Sequence, residues 1–338
     1  MALPDRQNVI RITAAGGPEV LVPDLGPVPG PGRGQVLIRV AAAGVNRHDI
    51  HQRAAGRHSD GLDIPGLEAC GTIAALGAGV AGLDLGARVV ALVQGGGYAE
   101  YVLAEAPLVL PAPEGLSDVE AAAVPEAAFT TWWNYFGLMA LRPEHFALIH
   151  GGTSGVGHLA LQALSALGYP ILATCGTAEK CAAAEAFGAK AAFSYADPDL
   201  AAKVMAATGG RGISALVDVS AGAHLAQDLA MMAPDGCIAH LSGGAGAELR
   251  LPVRALMEKR IRITGSLLRP LPLALKTGIA ERLRADLWPL LGRSVRPAIA
   301  RCFDLRDAAA AHQEMERNRH IGKIMLTVGQ PEPPRTTP

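Results

Sequence analysis

The stretch LIHGGTSGVGHLALQ, residues 148 to 162, constrains this chain more than any other. Apolar residues run up to His150, then Gly151, Gly152, Gly155 and Gly157 crowd together, and a segment of helical apolar period follows. A strand that turns through glycines into a helix lets the backbone approach a pyrophosphate. The helix N-terminus adds N–H donors and the positive end of its dipole. The match to the GxGxxG pattern is imperfect, because Ser154 stands where the second glycine would be. A tight structural turn would use the same residues, but the surroundings favour the phosphate reading. Downstream, PILATC, AAFSY, ALVDVS and CIAHLSGG read as strands, separated by the helical segments AEKCAAAEAFGA, DLAAKVMAATG and HLAQDLAMMAPDG. Strands alternating with helices of this length pair in parallel through right-handed crossovers. The result is a doubly wound α/β sheet whose first strand–helix junction carries the glycines.

In such sheets the residue ending the second strand, about 20 positions on, chooses between cofactors: an acid there holds the ribose hydroxyls of NAD. Here ATCGTAEK puts Cys175 at that place. With no acid to repel it, a 2'-phosphate has room beside Gly176 and Thr177, and Lys180 lies one turn along. NADPH is therefore favoured over NADH. Gly152, Thr153, Ser154, Gly155, Val156 and Gly157 are candidates for the pyrophosphate, and Gly176, Thr177 and Lys180 for the 2'-phosphate. Tyr195, ending the third strand, is a candidate to flank the adenine or its phosphate. Lys180 reads equally as an ordinary exposed helix lysine, and Glu179 beside it points that way.

The segments before this region have a different texture. Residues 8 to 13 and 35 to 43 read as strands, with the Pro/Gly-rich PDLGPVPGPGRGQ between them as loop or turn. GTIAALG, ARVVALV, YAEYVLA and PLVLPAP follow as short strands, so a compact, mostly β first lobe is expected. Ser117 and Glu120 have the spacing of a capping box and open a helical stretch. After IRITGSLLRP the sequence predicts one or two helices to about residue 292, then PAIARCFDL, a helix RDAAAAHQEMERN and a last strand GKIMLTV that returns to the first lobe. Expected boundaries are 1–125 with 293–330 for the β-rich domain, 126–292 for the nucleotide domain, and a disordered tail at 331–338.

Composition narrows the function classes. Lys plus Arg (30) nearly cancels Asp plus Glu (31), which leaves no basic surplus to draw nucleic acid or an anionic membrane. The start MALPDRQNVIR turns charged at once, so no signal peptide or membrane span is expected and the cytosol is the default compartment. Five scattered cysteines without CxxC spacing argue against a disulfide framework or a four-cysteine zinc lobe.

RHDIHQR (47 to 53) and IPGLEACG (64 to 71) raise the question of a metal, since His48, His51, Asp49, Glu68 and Cys70 are all ligand types. His48, His51 and His58 could form an alternative set, although exposed loop histidines explain them as well.

The order GVNRHDIHQR, PGLEACG, VPEAAFTTW, LIHGGTSGVG, GTAEK, KRIRITGSLLR and HIGKIML resembles the medium-chain dehydrogenase/reductase superfamily. In detail it is similar to the zinc-free quinone oxidoreductase branch, specifically the p53-inducible quinone oxidoreductase group. The resemblance implies a GroES-like catalytic domain beside a Rossmann domain, NADPH-dependent two-electron reduction of a quinone without zinc, and a homodimer. Zinc-dependent relatives carry a cysteine where this chain has Asn46, a His–Glu pair where it has Leu67–Glu68, and an inserted cysteine-rich lobe that ALVQGGGYAEYV lacks. No metal site is therefore expected. On this reading Asn46 orients the nicotinamide ribose or the substrate carbonyl, and Thr130 lies near the nicotinamide. Leu241, Ser242, Ser266 and Leu267 follow later strands at the cofactor crevice, and Asn318 and Lys323 reach in from the returning segment or simply form a turn. His51 or Arg57 could donate a hydrogen bond to the quinone oxygen, or face solvent. Asp49 and Arg53 are expected to brace the loop by pairing with each other. Rival readings are an enoyl or alkenal reductase, and a crystallin-like or RNA-associated NADPH-binding protein with little turnover.

Overall fold

The computed structural model describes residues 3–56, 63–220, 222, 224–242 and 248–329. The chain divides into two compact units, Met1–Glu126 with Pro297–Pro338, and Ala127–Arg296. His58, Arg57 and the expected tail lie outside the described residues.

The first unit begins with β1 (Arg6–Ile12) and β2 (Leu21–Pro27), an antiparallel pair. Pro23 to Pro27 was expected as loop, yet these residues form strand. The reason is visible at Ile10, which lies opposite Pro23 but sends its N–H to Tyr98 O at 2.9 Å, so the ladder asks for no donor from the proline. Then come β3 (Gln35–Val45), α1 (Arg47–Ala55), β4 (Glu68–Leu76), β5 (Arg88–Leu92), β6 (Tyr101–Glu105) and β7 (Val109–Pro111). Alternate residues of these strands, among them Val36, Ile38, Val40, Ala69, Val89 and Ala91, fill one core. Ser117 caps α2 (Asp118–Ala122) through the box read in the sequence: Ser117 Oγ accepts from Glu120 N at 3.3 Å, and Glu120 Oε2 accepts from Ser117 N at 2.8 Å. Pro125, whose missing N–H is harmless at a helix start, opens α3 (Pro125–Trp132), which continues as a π-helical turn over Trp133–Leu138.

The second unit is a doubly wound sheet. Its strands are β8 (Ala147–His150), β9 (Ile171–Cys175), β10 (Ala192–Ser194), β11 (Ile213–Asp218), β12 (Met232–His240) and β13 (Arg262–Gly265). All pair in parallel, in the spatial order β10-β9-β8-β11-β12-β13. The helices are α4 (Gly157–Ala166), α5 (Ala178–Ala186), α6 (Leu200–Ala207), α7 (Leu225–Met231), α8 (Val253–Lys259) and α9 (Leu273–Asp286). Both faces are buried, as an all-parallel sheet requires: Ala147 and Ile149 enter one core, Phe146 and Leu148 the other. The order reverses between β8 and β11, and such switch points are where open α/β sheets bind ligands, at the carboxyl ends of the strands. Two expectations need correction. Strand β12 starts at Met232, inside the segment expected as helix, because Met232 pairs with Ile213 before the register jumps to Cys237 opposite Ala215. The helix Val253–Lys259 ahead of β13 was not anticipated.

The chain then forms β14 (Ile299–Asp304), α10 (Ala308–Arg317) and β15 (Lys323–Thr327). β15 lies antiparallel to β3, so the sheet of the first unit runs β14-β15-β3-β4-β5-β7, with β6 also on β3. Among the described residues no helix is long and apolar enough to cross a membrane.

Candidate active site

At the end of β8, Gly151 adopts φ 72°, and the N–H groups of Gly151 and Gly152 bond to Thr174 O on β9 at 2.9 and 3.1 Å. This anchors the turn to the neighbouring strand. A methyl on Gly152 would stand 2.6 Å from Ala173 Cβ, and one on Gly157 would stand 2.3 Å from Gly151 O. The two glycines therefore serve close packing of turn, helix and strand. Ser154, the departure from the glycine pattern, folds its Oγ back to accept from Gly157 N at 3.0 Å. The N–H groups of Thr153, Gly155 and Val156 make no hydrogen bond to the described residues, and so remain available at the head of α4.

At the end of β9, Cys175 is buried, and burial raises its thiol pKa to about 12. Gly176 and Thr177 are exposed, and Thr177 Oγ1 caps α5 by accepting from Lys180 N at 3.2 Å. Lys180 is half-buried, and the lost hydration lowers its ammonium pKa despite the opposing pull of Cys175 and Glu179. Tyr195 covers the same turn: a Cβ on Gly176 would meet its hydroxyl at 2.8 Å. Its ring lies 5.2 Å from that of His224 at 31°, and His224 in turn is 5.5 Å from His150. Burial, reinforced by His150, lowers the His224 pKa.

Strands β8, β11, β12 and β13 bring a polar cluster to their carboxyl ends that reading by segments missed. His150 Nε2 donates to Asp228 Oδ1 at 2.9 Å, and its Nδ1 contacts Thr174 Oγ1 at 2.6 Å. Asp218 accepts from Ser220 N and Ser220 Oγ at 2.5 Å each, from Gly222 N at 2.7 Å and from His240 Nδ1 at 2.8 Å. Burial pushes the Asp218 carboxyl up, but the hydrogen bonds from His240 and Ser220 outweigh it and hold it below the usual carboxylate range. Leu241 N donates to Asp218 O at 2.8 Å and Ser266 N to His240 O at 2.9 Å, so the candidates Leu241, Ser242 and Ser266 share this edge. Leu267 is exposed, and Thr130 is buried with its carbonyl accepting from Asn134 Nδ2 at 2.8 Å. The missed signal was the pair of segments ALVDVS and CIAHLS, each ending an apolar strand on a titratable residue.

In the first unit Lys323 is wholly buried, and its Nζ donates to Asn46 Oδ1 at 2.7 Å and to Glu68 Oε1. Asn46 Nδ2 donates to Glu68 Oε1 at 2.9 Å, and Glu126 N to Glu68 Oε2 at 2.8 Å. Two of the expected site residues thus bind each other. Asn318 ends α10 in the left-handed region at φ 56°, its Oδ1 accepting from Arg47 at 3.3 Å, and His51 is exposed on α1.

The expected Asp49–Arg53 pair does not form. Asp49 accepts from Asn46 N (2.8 Å), Gly66 N (3.3 Å) and Tyr98 Oη (3.1 Å), while Arg53 donates to Gly16 O at 3.1 Å and to Glu316. Asp49 closes the capping box of α1 on Asn46 N, and Tyr98 and the loop at Gly66 take the rest of the carboxylate, while Arg53 is engaged by Gly16 and Glu316. Tyr98 Oη also meets His312 Nε2 at 3.1 Å. At Asn46, Leu67 and Glu68, an amide, an aliphatic side chain and a carboxylate already held by an ammonium make a poor metal donor set. Among the described residues no three His, Cys, Asp or Glu side chains are placed to hold a metal.

Residues 32–114 match the alcohol dehydrogenase GroES-like domain, and residues 155–281 match the zinc-binding dehydrogenase family. The chain is 30% identical over 328 residues to a quinone oxidoreductase of Sus scrofa, covering 94% of this chain and 97% of that protein. It is 30% identical over 327 residues to a 2-haloacrylate reductase of a Burkholderia species, covering 92% and 96%. A mycobacterial protein solved in complex with NADPH superposes with a TM-score of 0.83 at 28% identity, over 95% of this chain and 99% of the other. An NAD-dependent alcohol dehydrogenase superposes at 0.80 and 27%, over 95% and 100%. With likeness of this extent across both units, the chain is an oxidoreductase of the medium-chain dehydrogenase/reductase superfamily.

Proposed function

We propose that this chain is an NADPH-dependent, zinc-independent reductase of quinones. The observation that carries the reading is the buried clamp of Lys323 on Glu68 and Asn46. A carboxylate neutralised by a fixed ammonium is unavailable to a cation, which supports chemistry by hydride transfer and positioning without a metal at this place. The likeness to the Sus scrofa quinone oxidoreductase supports the substrate class.

NADPH supplies the hydride from its C4. The chain's part is to hold and orient it. The N–H groups of Thr153, Gly155 and Val156 meet the pyrophosphate at the positive end of α4. Gly176 and Thr177 lie exposed beside the Tyr195 hydroxyl where the 2'-phosphate would sit, Lys180 offers the charge, and the exposed Tyr195 ring offers a face for the adenine. Buried Cys175, in place of an acid, imposes no repulsion there.

The test is oxidation of NADPH against NADH with ortho-quinones, para-quinones and enones, with metal analysis of the purified chain. Turnover of NADPH with a quinone after exhaustive chelation is the expected result. Equal use of both cofactors, or loss of activity with the metal, would refute it. The likeness to a 2-haloacrylate reductase favours a second reading, reduction of a conjugated C=C bond, and the enone arm reads this out directly.

A further inference from the structure

We infer that His240, held by Asp218, is a positioning residue for the nicotinamide half of the cofactor, its Nε2 accepting a hydrogen bond from the carboxamide N–H. The inference rests on the dinucleotide reading above. It starts from proton bookkeeping at Asp218. That carboxylate accepts from Ser220 N, Ser220 Oγ, Gly222 N and His240 Nδ1, and an ionised carboxylate has no proton to give. His240 Nδ1 must therefore carry hydrogen. In the neutral ring this leaves Nε2 as an acceptor only.

Nε2 is buried and has no hydrogen-bond partner among the described residues. A buried acceptor left unsatisfied is costly, and a donor from a bound ligand would satisfy it. The fold says which part of a ligand faces it. β8, β9 and β10 carry the glycine turn and the Gly176–Lys180 segment, so that half of the sheet takes the adenine mononucleotide. His240 ends β12 in the other half, across the switch point. The imidazole is also rigidly mounted, because His240 O accepts from Ser266 N on the chain leaving β13 and Asp218 O accepts from Leu241 N.

Among the donors of a nicotinamide mononucleotide, the ribose hydroxyls can accept as well as donate and need no dedicated acceptor. The carboxamide NH₂ can only donate, and an acceptor-only nitrogen complements it. Fixing that amide fixes the rotation of the ring about its bond to the ribose.

The test compares NADPH with its reduced 3-acetylpyridine analogue, whose methyl ketone lacks the amide N–H, by calorimetric titration of the full chain. In the wild type the analogue should bind about fivefold more weakly, the scale of one neutral hydrogen bond. His240→Leu should lose about the same factor with NADPH and nothing further with the analogue. His240→Gln, which keeps an acceptor near Nε2, should recover most of the affinity. Equal binding of the two cofactors by the wild type, or losses that multiply in the Leu variant, would overturn the proposal even if that variant folds poorly, since the first arm needs no substitution. Failure of the wild type to bind NADPH at all would instead overturn the dinucleotide reading itself.

Discussion

Lys323 Nζ lies 2.7 Å from Asn46 Oδ1 and forms an ion pair with Glu68, with both charged side chains almost fully shielded from water. These residues come from β15, the N-terminus of α1 and β4, so the contact ties the returning C-terminal strand to the first lobe. Removing one partner strands the other charge. Lys323→Met should cost roughly 3–5 kcal/mol of stability by chemical denaturation. Pairing it with Glu68→Leu should recover much of that loss, and additive losses would show that the pair is not coupled.

The second buried network in this unit predicts an unusual pH profile. Burial raises the Asp49 pKa from its ordinary 3.8 to about 7, against the hydrogen bonds from Asn46, Tyr98 and Gly66. Its contribution is therefore full below pH 3.8 and is lost as the pH rises towards 7. Burial, aided by Arg53, lowers His312 from 6.5 to about 3, so its contribution is full above 6.5 and is lost as the pH falls towards 3. Between about 4 and 6.5 the two slopes oppose each other. In melts across this range the wild type should be nearly flat, His312→Gln should become less stable as pH rises, and Asp49→Asn less stable as pH falls.

Lys180→Ala should weaken NADPH binding by about tenfold, the scale of a hydrogen bond to a charged group, and leave NADH binding unchanged. Titration with both cofactors decides it. An equal effect on the two would mean that the half-buried lysine supports the fold of α5 and not a phosphate.

Gly152→Ala places a methyl 2.6 Å from Ala173 Cβ and should destabilise the second unit by about 1–3 kcal/mol through overpacking. Because the turn must move away from β9 to relieve the contact, NADPH affinity should fall with it. A variant that melts earlier but binds NADPH normally would separate the packing role from the phosphate role.

How legible the molecule is from its sequence depends on the range of the contact concerned. The capping box at Ser117 and Glu120 spans one helical turn, and the spacing alone reveals it. The parallel order is written in the alternation of apolar strand and helix, and the turn after β8 in glycines whose close packing leaves no room for a side chain. The strand from Pro23 to Pro27 is not legible locally, because a proline in a strand is permitted or forbidden by its partner, and that partner is Ile10 in another segment.

The sequence by itself determined the doubly wound sheet, the place of the glycine turn and the absence of an acid at the end of β9. Only the tertiary structure decided that Lys323 meets Glu68, 255 residues away, that Asp49 turns from Arg53 to Tyr98, and that Asp218 holds His240 across adjacent strands. Periodicity records which side of an element is buried, because burial acts on each residue separately. It carries no record of which buried polar group satisfies another, since that depends on where the chain brings distant elements together.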